Sequence, residues 1–147
     1  MRDPNYWVQY AMAHLSHKSL DYAKKHLETA KNLAKNIENY NTDSIDTQTA
    51  RLYLLLSLQE TDQNKIFQSF KEAHDLLIKI SNTIYRYRQV LIYKDFYDVA
   101  YTRLSTKNKV NFKACCEEMK KELEEYRAKN SNNWVSENCY EFLQKIT

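Results

Sequence analysis

No glycine occurs anywhere in the 147 residues, and the single proline is Pro4. Glycine reaches positive φ without steric penalty, and tight hairpin turns depend on it. A chain this long without it argues against a sheet-rich fold. The same absence excludes glycine-dependent phosphate loops: there is no Walker A loop, no dinucleotide fingerprint and no G-x-S-x-G elbow. Helices are what remain.

The strongest helical signal lies between Asn5 and Leu33. Trp7, Tyr10, Ala11 and His14 fall in its first half, and Ala23, Leu27 and Ala30 in its second. Small residues at Ala11, Ala23 and Ala30 allow two helix backbones to approach closely, while Trp7, Tyr10 and Leu27 fill the space beside them. Asp3-Pro4 is a strong helix start, an acidic cap followed by proline where no amide donor is needed. The first helix is expected from Asn5 to Leu15, with His17-Lys18-Ser19 as the turn and Ser19 or Asp21 capping a second helix. That helix carries a stripe from Leu20 through Leu33 and Ala34 to Ile37.

After the polar linker Asn39 to Asp43, a third helix capped by Ser44, Asp46 or Thr47 is apolar nearly all round, which predicts a helix sandwiched between neighbours. A fourth carries Ile66, Phe67, Phe70, Ala73, Leu76, Leu77 and Ile80. Phe70 and Ala73 repeat the Leu27 and Ala30 spacing, and Ala50 repeats Ala11. A long helix is expected from Ile84 to Leu104, with stripes Val90, Tyr93, Tyr97, Ala100, Leu104 and Ile92, Phe96, Val99. A charged helix from Asn108 to Lys129, capped by Ser105 or Thr106, has a narrow seam of Phe112, Cys115, Met119, Leu123 and Tyr126. Trp134 or Val135, Tyr140, Phe142, Leu143 and Ile146 mark a closing helix of the kind that caps a stack.

The first two helix pairs resemble tetratricopeptide repeats on the residues just quoted. Ala11 stands where the usual glycine falls, His14 replaces the second aromatic residue, and no proline closes the repeat after Ala30. The resemblance covers about the first half of the chain. It implies an all-α fold: a right-handed stack of antiparallel helical hairpins with about six or seven helices. On this reading 1–147 is a single helical-repeat domain, with two hairpins in 1–81, a third and longer hairpin in 82–129, and a capping helix in 130–147. The stretches Pro4 to Ala11 and Ser44 to Leu52 are also similar to the helical C-terminal region of bacterial STAND-type or sirtuin-like P-loop NTPases, many of them linked to phage defence. That resemblance implies a sensor or oligomerisation surface following enzymatic domains, so that the chain is expected to be a module of something longer.

Charge is nearly balanced, 22 basic against 19 acidic side chains. A pI near 8.6 gives weak attraction to polyanions and not a nucleic-acid signature. Three cysteines, Cys115, Cys116 and Cys139, suggest reduced thiols of a cytosol rather than a disulfide framework. No run approaches a membrane span, and Met1-Arg2-Asp3-Pro4 does not open a signal peptide, so the expected address is cytoplasmic. His14, His17 and His26 lack metal-ligand spacing and read as packing or surface histidines. Cys115 lies on an apolar seam, where cysteine acts as a small hydrophobe. Glu117, Glu118, Glu122, Glu124 and Glu125 alternate with Lys120 and Lys121 as a solvated helix face.

No catalytic residue, cofactor or metal is therefore expected. The leading expectation is a protein-interaction module, its partner a protein, a peptide or other domains of its parent chain. The inner surface by analogy with tetratricopeptide grooves is Asn5, Gln9, Met12, Gln48, Arg51 and Leu55, with Arg51 able to hold a carboxylate bidentately. The alternative is a nucleic-acid-binding helix 84–104, in which Tyr85-Arg86-Tyr87-Arg88 and Tyr93-Lys94 continue to Arg103; its contacts would be Arg86, Arg88, Lys94 and Arg103. Self-association through the Leu52–Leu58 helix or the Phe112–Tyr126 seam is a third outcome.

Overall fold

Residues 3–80, 93–129 (side chains to 125) and 141–147 are described by the structure, a computed structural model. Among them every regular element is helical. They are α1 (Pro4–Ser16), α2 (Leu20–Ala34), α3 (Asp43–Gln59), α4 (Gln63–Lys79), the helical residues 93–100 (α5), α6 (Thr106–Lys129) and the helical residues 141–146 (α7).

The ends of these helices follow from short polar side chains. Asp3 caps α1, accepting from the Tyr6 amide at 3.2 Å, and Pro4 occupies the first turn. Asp62 caps α4 by accepting from the Asn64 and Lys65 amides at 2.9 and 3.2 Å. α3 begins earlier than its expected caps, because Asn41 accepts from the Asp43 amide at 2.8 Å and the Thr42 hydroxyl donates to Asp46. Ser105, one of the two expected caps, accepts from the Asn108 amide, and α6 runs from Thr106. Ser19 caps α2 without a side-chain bond.

Without glycine, the chain turns at positive φ on other residues, Lys18 and Asn39, both at 58°. Around Lys18 the Ser19 amide donates to the His14 carbonyl and the Lys18 amide to that of Leu15. This is the bond pair that closes a helix on a left-handed residue, a position where glycine is usual. A lysine there carries strain on the order of 1 kcal/mol.

α1 packs along α2 and α3 along α4, while α3 also touches α1 and α2 and α4 touches α6. α3 is thus sandwiched, as its apolar circumference predicts. Ala11, Ala23, Ala30, Ala50 and Ala73 are fully buried, and such small residues let helix axes come close. The threonines of α3 are accommodated by bonding back into their own helix, Thr47 to the Asp43 carbonyl at 2.7 Å and Thr49 to that of Ile45 at 2.8 Å. The main core joins α3 to α7 around Phe70, whose ring lies 4.7 Å from Phe96 and 5.0 Å from Tyr93 and Phe112.

Several expectations are corrected. The apolar stripe of α2 ends at Ala34, and Ile37 lies beyond the helix with 43% exposure. The long fifth helix does not continue to Leu104: it gives way to a 3-10 turn at Tyr101–Arg103, held to the α3–α4 loop by Arg103 donating to the Glu60 carbonyl at 3.1 Å. Phe96 is buried but Val99 is 54% exposed, so the second stripe is not a second buried face. Tyr10 fills the space beside the paired helices only in part: it lies 5.5 Å from the His26 ring of α2 and stays 47% exposed. Val90, Ile92, Trp134, Val135 and Tyr140, and the side chain of Tyr126, lie outside the described residues. So do 82–92 and 130–140 of the third hairpin and capping segment.

Candidate functional site

α3 is the floor of a cleft whose walls are α2 and α4. Two adjoining cavities, of about 290 and 170 Å³, share Lys31, Thr49 and Tyr53 and so form one depression. At one end Asp46, Glu72 and Asp75 surround Leu76, with Lys79 beside them. At the other, Leu27, Leu52 and Leu56 form an apolar floor beneath Lys24 and Glu28. From Asp46 to Leu56 the helix rises about 15 Å. An extended peptide covers that in four or five residues at roughly 3.3 Å each.

Tyr53 sits at the centre, half-buried, and its hydroxyl is held above the ordinary tyrosine value by burial and then by Glu72 and Glu28 on the opposing walls. It therefore stays protonated and able to donate. Asp75 is paired with Lys71 one turn back on α4. Asp46, Thr49, Tyr53 and Leu56 share one side of α3 at helical spacing. A helix that reads as apolar nearly all round gives no sign of a cleft on that side.

The residues nominated for the α1–α3 face divide in two. Asn5 and Gln9 are exposed on α1. Met12 packs on the Val8–Ile45 cluster and Leu55 on the Leu15–Leu27 cluster. Arg51 is half-buried and donates to the Ser16 hydroxyl at 3.4 Å. The Gln48 amide oxygen is enclosed and finds no hydrogen-bond donor among the described residues. Of the nominated nucleic-acid contacts, Arg86 and Arg88 lie outside the described residues, as do Tyr85 and Tyr87. Lys94 is paired with Asp98 at 3.1 Å, and Arg103 bonds the Glu60 carbonyl.

His14 and His26 do come together, ring centroids 5.1 Å apart, within a ladder that continues to Tyr22 on one side and Trp7 and Tyr10 on the other. His17 has no part in it. Burial and then His14 keep His26 below the ordinary histidine value. Among the described residues no group of three or more His, Cys, Asp or Glu is placed to hold a metal ion.

Sequence reasoning passed over His74, which is fully enclosed. Its Nε2 lies 2.7 Å from Glu118 Oε1 and its Nδ1 2.9 Å from the Tyr93 hydroxyl. A carboxylate only accepts, so Nε2 carries the proton and Nδ1 accepts from Tyr93. Glu118 was expected on a solvated face; it remains 57% exposed, yet turns one oxygen inward to this ring. The network ties α4, α5 and α6 together. Burial lowers the His74 pKa, with the Glu118 bond opposing it. Cys115 and Cys116 are both buried. Burial pushes the Cys115 thiol up to about 11 and Cys116 higher, so neither is a thiolate nucleophile near neutral pH. Cys139 lies outside the described residues.

Among the described residues no helix is long and apolar enough to cross a membrane. Comparison with protein-family models, with curated proteins and with solved structures returned no match.

Proposed function

We propose that the chain is a non-enzymatic protein-interaction module that holds an extended segment of a partner protein in the cleft over α3. On this reading the helices form a right-handed, tetratricopeptide-like stack, serving as scaffold or sensor in a larger bacterial defence-type protein. The pairing of α1 with α2 and α3 with α4, and the buried alanines between them, support the repeat reading.

The observation that carries the functional reading is the cleft itself. It is open, a few residues long, floored by leucines at one end and rimmed along its length by charges of both signs. Apolar floor supplies affinity, while charges at the rim fix register and suppress wrong partners.

The test is affinity capture from an extract, treated with nuclease, using wild type and the double reversal Lys31→Glu/Glu72→Lys. Both side chains are exposed, so helicity by circular dichroism stays unchanged. Reversing the rim is expected to lower recovery of a specific protein band about tenfold, equivalent to about 1.4 kcal/mol. Undiminished recovery places the partner elsewhere on the molecule.

A further inference from the structure

Residues 99–116 carry four cations, Arg103, Lys107, Lys109 and Lys113, and no Asp or Glu. On the neighbouring helices Lys71 meets Asp75 and Lys94 meets Asp98 one helical turn away. The four cations of this stretch form no ion pair among the described residues. Lys109 and Lys113 instead share one aromatic ring, their ammonium groups 5.5 and 6.0 Å from the centre of Tyr101. Two like charges are thereby gathered on one spot, with Arg103 in the same turn as that ring.

The start of α6 adds to this concentration of positive charge. α6 is capped by Ser105 and has no acidic residue in its first turn, whereas α1 and α4 carry aspartate caps. Cations at the start of a helix oppose its dipole.

We propose that Tyr101, Arg103, Lys107, Lys109 and Lys113 form a binding surface for single-stranded nucleic acid. Lysine and arginine neutralise successive phosphates, and tyrosine set among them is the pairing that single-strand binders use. An anionic membrane is the lesser match. Interfacial helices present Trp, Phe or Leu beside their lysines, and the exposed bulky apolar residue on this part of α6 is Val110 alone among the described residues. This surface is separate from the α3 cleft and shares no residue with it.

The test is fluorescence anisotropy of a labelled 20-nucleotide oligo-dT against the full chain over a series of salt concentrations, with Lys109→Gln/Lys113→Gln as the variant. The wild type is expected to bind, with affinity falling steeply as salt rises. Removing two phosphate contacts is expected to reduce the log–log salt slope by about 1.4, about 0.7 for each lysine. A control, Lys24→Gln/Lys31→Gln, removes the same charge from the cleft rim and is expected to leave the slope unchanged. Failure of the wild type to bind at low salt overturns the proposal, as does an equal loss in the control. Binding to phosphatidylserine vesicles in place of the oligonucleotide, lost in the same variant, also overturns it.

Discussion

Replacing Phe70 with Ala is expected to lower unfolding stability by about 4 kcal/mol, the range found for large-to-small changes at closed core sites. The reason lies in its position. Phe70 is fully buried, and its ring meets Phe96, Phe112, Tyr93 and Phe67, drawn from α4, α5 and α6. Removing it loses the transfer energy of a benzyl group and opens a void that four aromatic neighbours are too rigid to fill. Domains of this size hold on the order of 5–15 kcal/mol in all. Phe70→Leu keeps most of the volume and is expected to lose less than half as much. Urea unfolding followed by far-ultraviolet circular dichroism measures both. A loss below about 1 kcal/mol for Phe70→Ala contradicts a closed aromatic core at this site.

His74→Ala is expected to lower stability by about 3 kcal/mol, part cavity and part stranded hydrogen bond. The fully buried Tyr93 hydroxyl loses its acceptor. Glu118 loses a bond as well, but it returns to water. Adding Tyr93→Phe removes the stranded hydroxyl, so His74→Ala/Tyr93→Phe is expected to recover about 1–2 kcal/mol relative to His74→Ala. A double variant less stable than the single one contradicts the bond.

The same residue makes stability depend on pH with a definite sign. Burial holds folded His74 below the ordinary value of 6.5. As pH falls through 6.5 the unfolded chain takes up a proton that the folded chain refuses. The stability His74 contributes is therefore fully present above that pH and is lost as pH drops below it. His26, lowered by burial and His14, acts in the same direction. His74→Ala is expected to flatten the decline between pH 7 and 5 without abolishing it.

How far the sequence led is clearest at α3. Its circumference of Ala50, Leu52, Tyr53, Leu55, Leu56 and Leu58 announced a sandwiched helix, and the helix is packed on both sides. The cleft was not legible there, because it exists only where two other helices stand off from Asp46, Thr49 and Tyr53. That is a property of tertiary placement. Glu118 shows the same limit: 57% exposed, it looks like any solvent-facing glutamate in a run of charges, and its partner lies 44 positions away. His74 sits at an apolar position of α4, where its polar atoms need partners that no local pattern names. The break at Tyr101–Arg103 was hidden for a different reason. The apolar periodicity runs on to Leu104, and Leu104 is buried, but it is reached through a tighter turn tied down by Arg103 and not through continued helix. The α3 start at Asp43 came earlier than expected because several adjacent residues could each cap, and backbone geometry settled on Thr42.

The most direct test of the cleft reading is photo-crosslinking from within the protein. A benzophenone amino acid placed at Tyr53, in the cleft, is compared with one placed at Gln9, exposed on α1 away from it. Both variants are checked for native helicity and then irradiated in nuclease-treated extract. The account predicts an adduct from position 53 that maps to one short segment of a single protein, and none of that species from position 9. The same adduct from position 9, with position 53 silent, contradicts it and moves the binding face to α1.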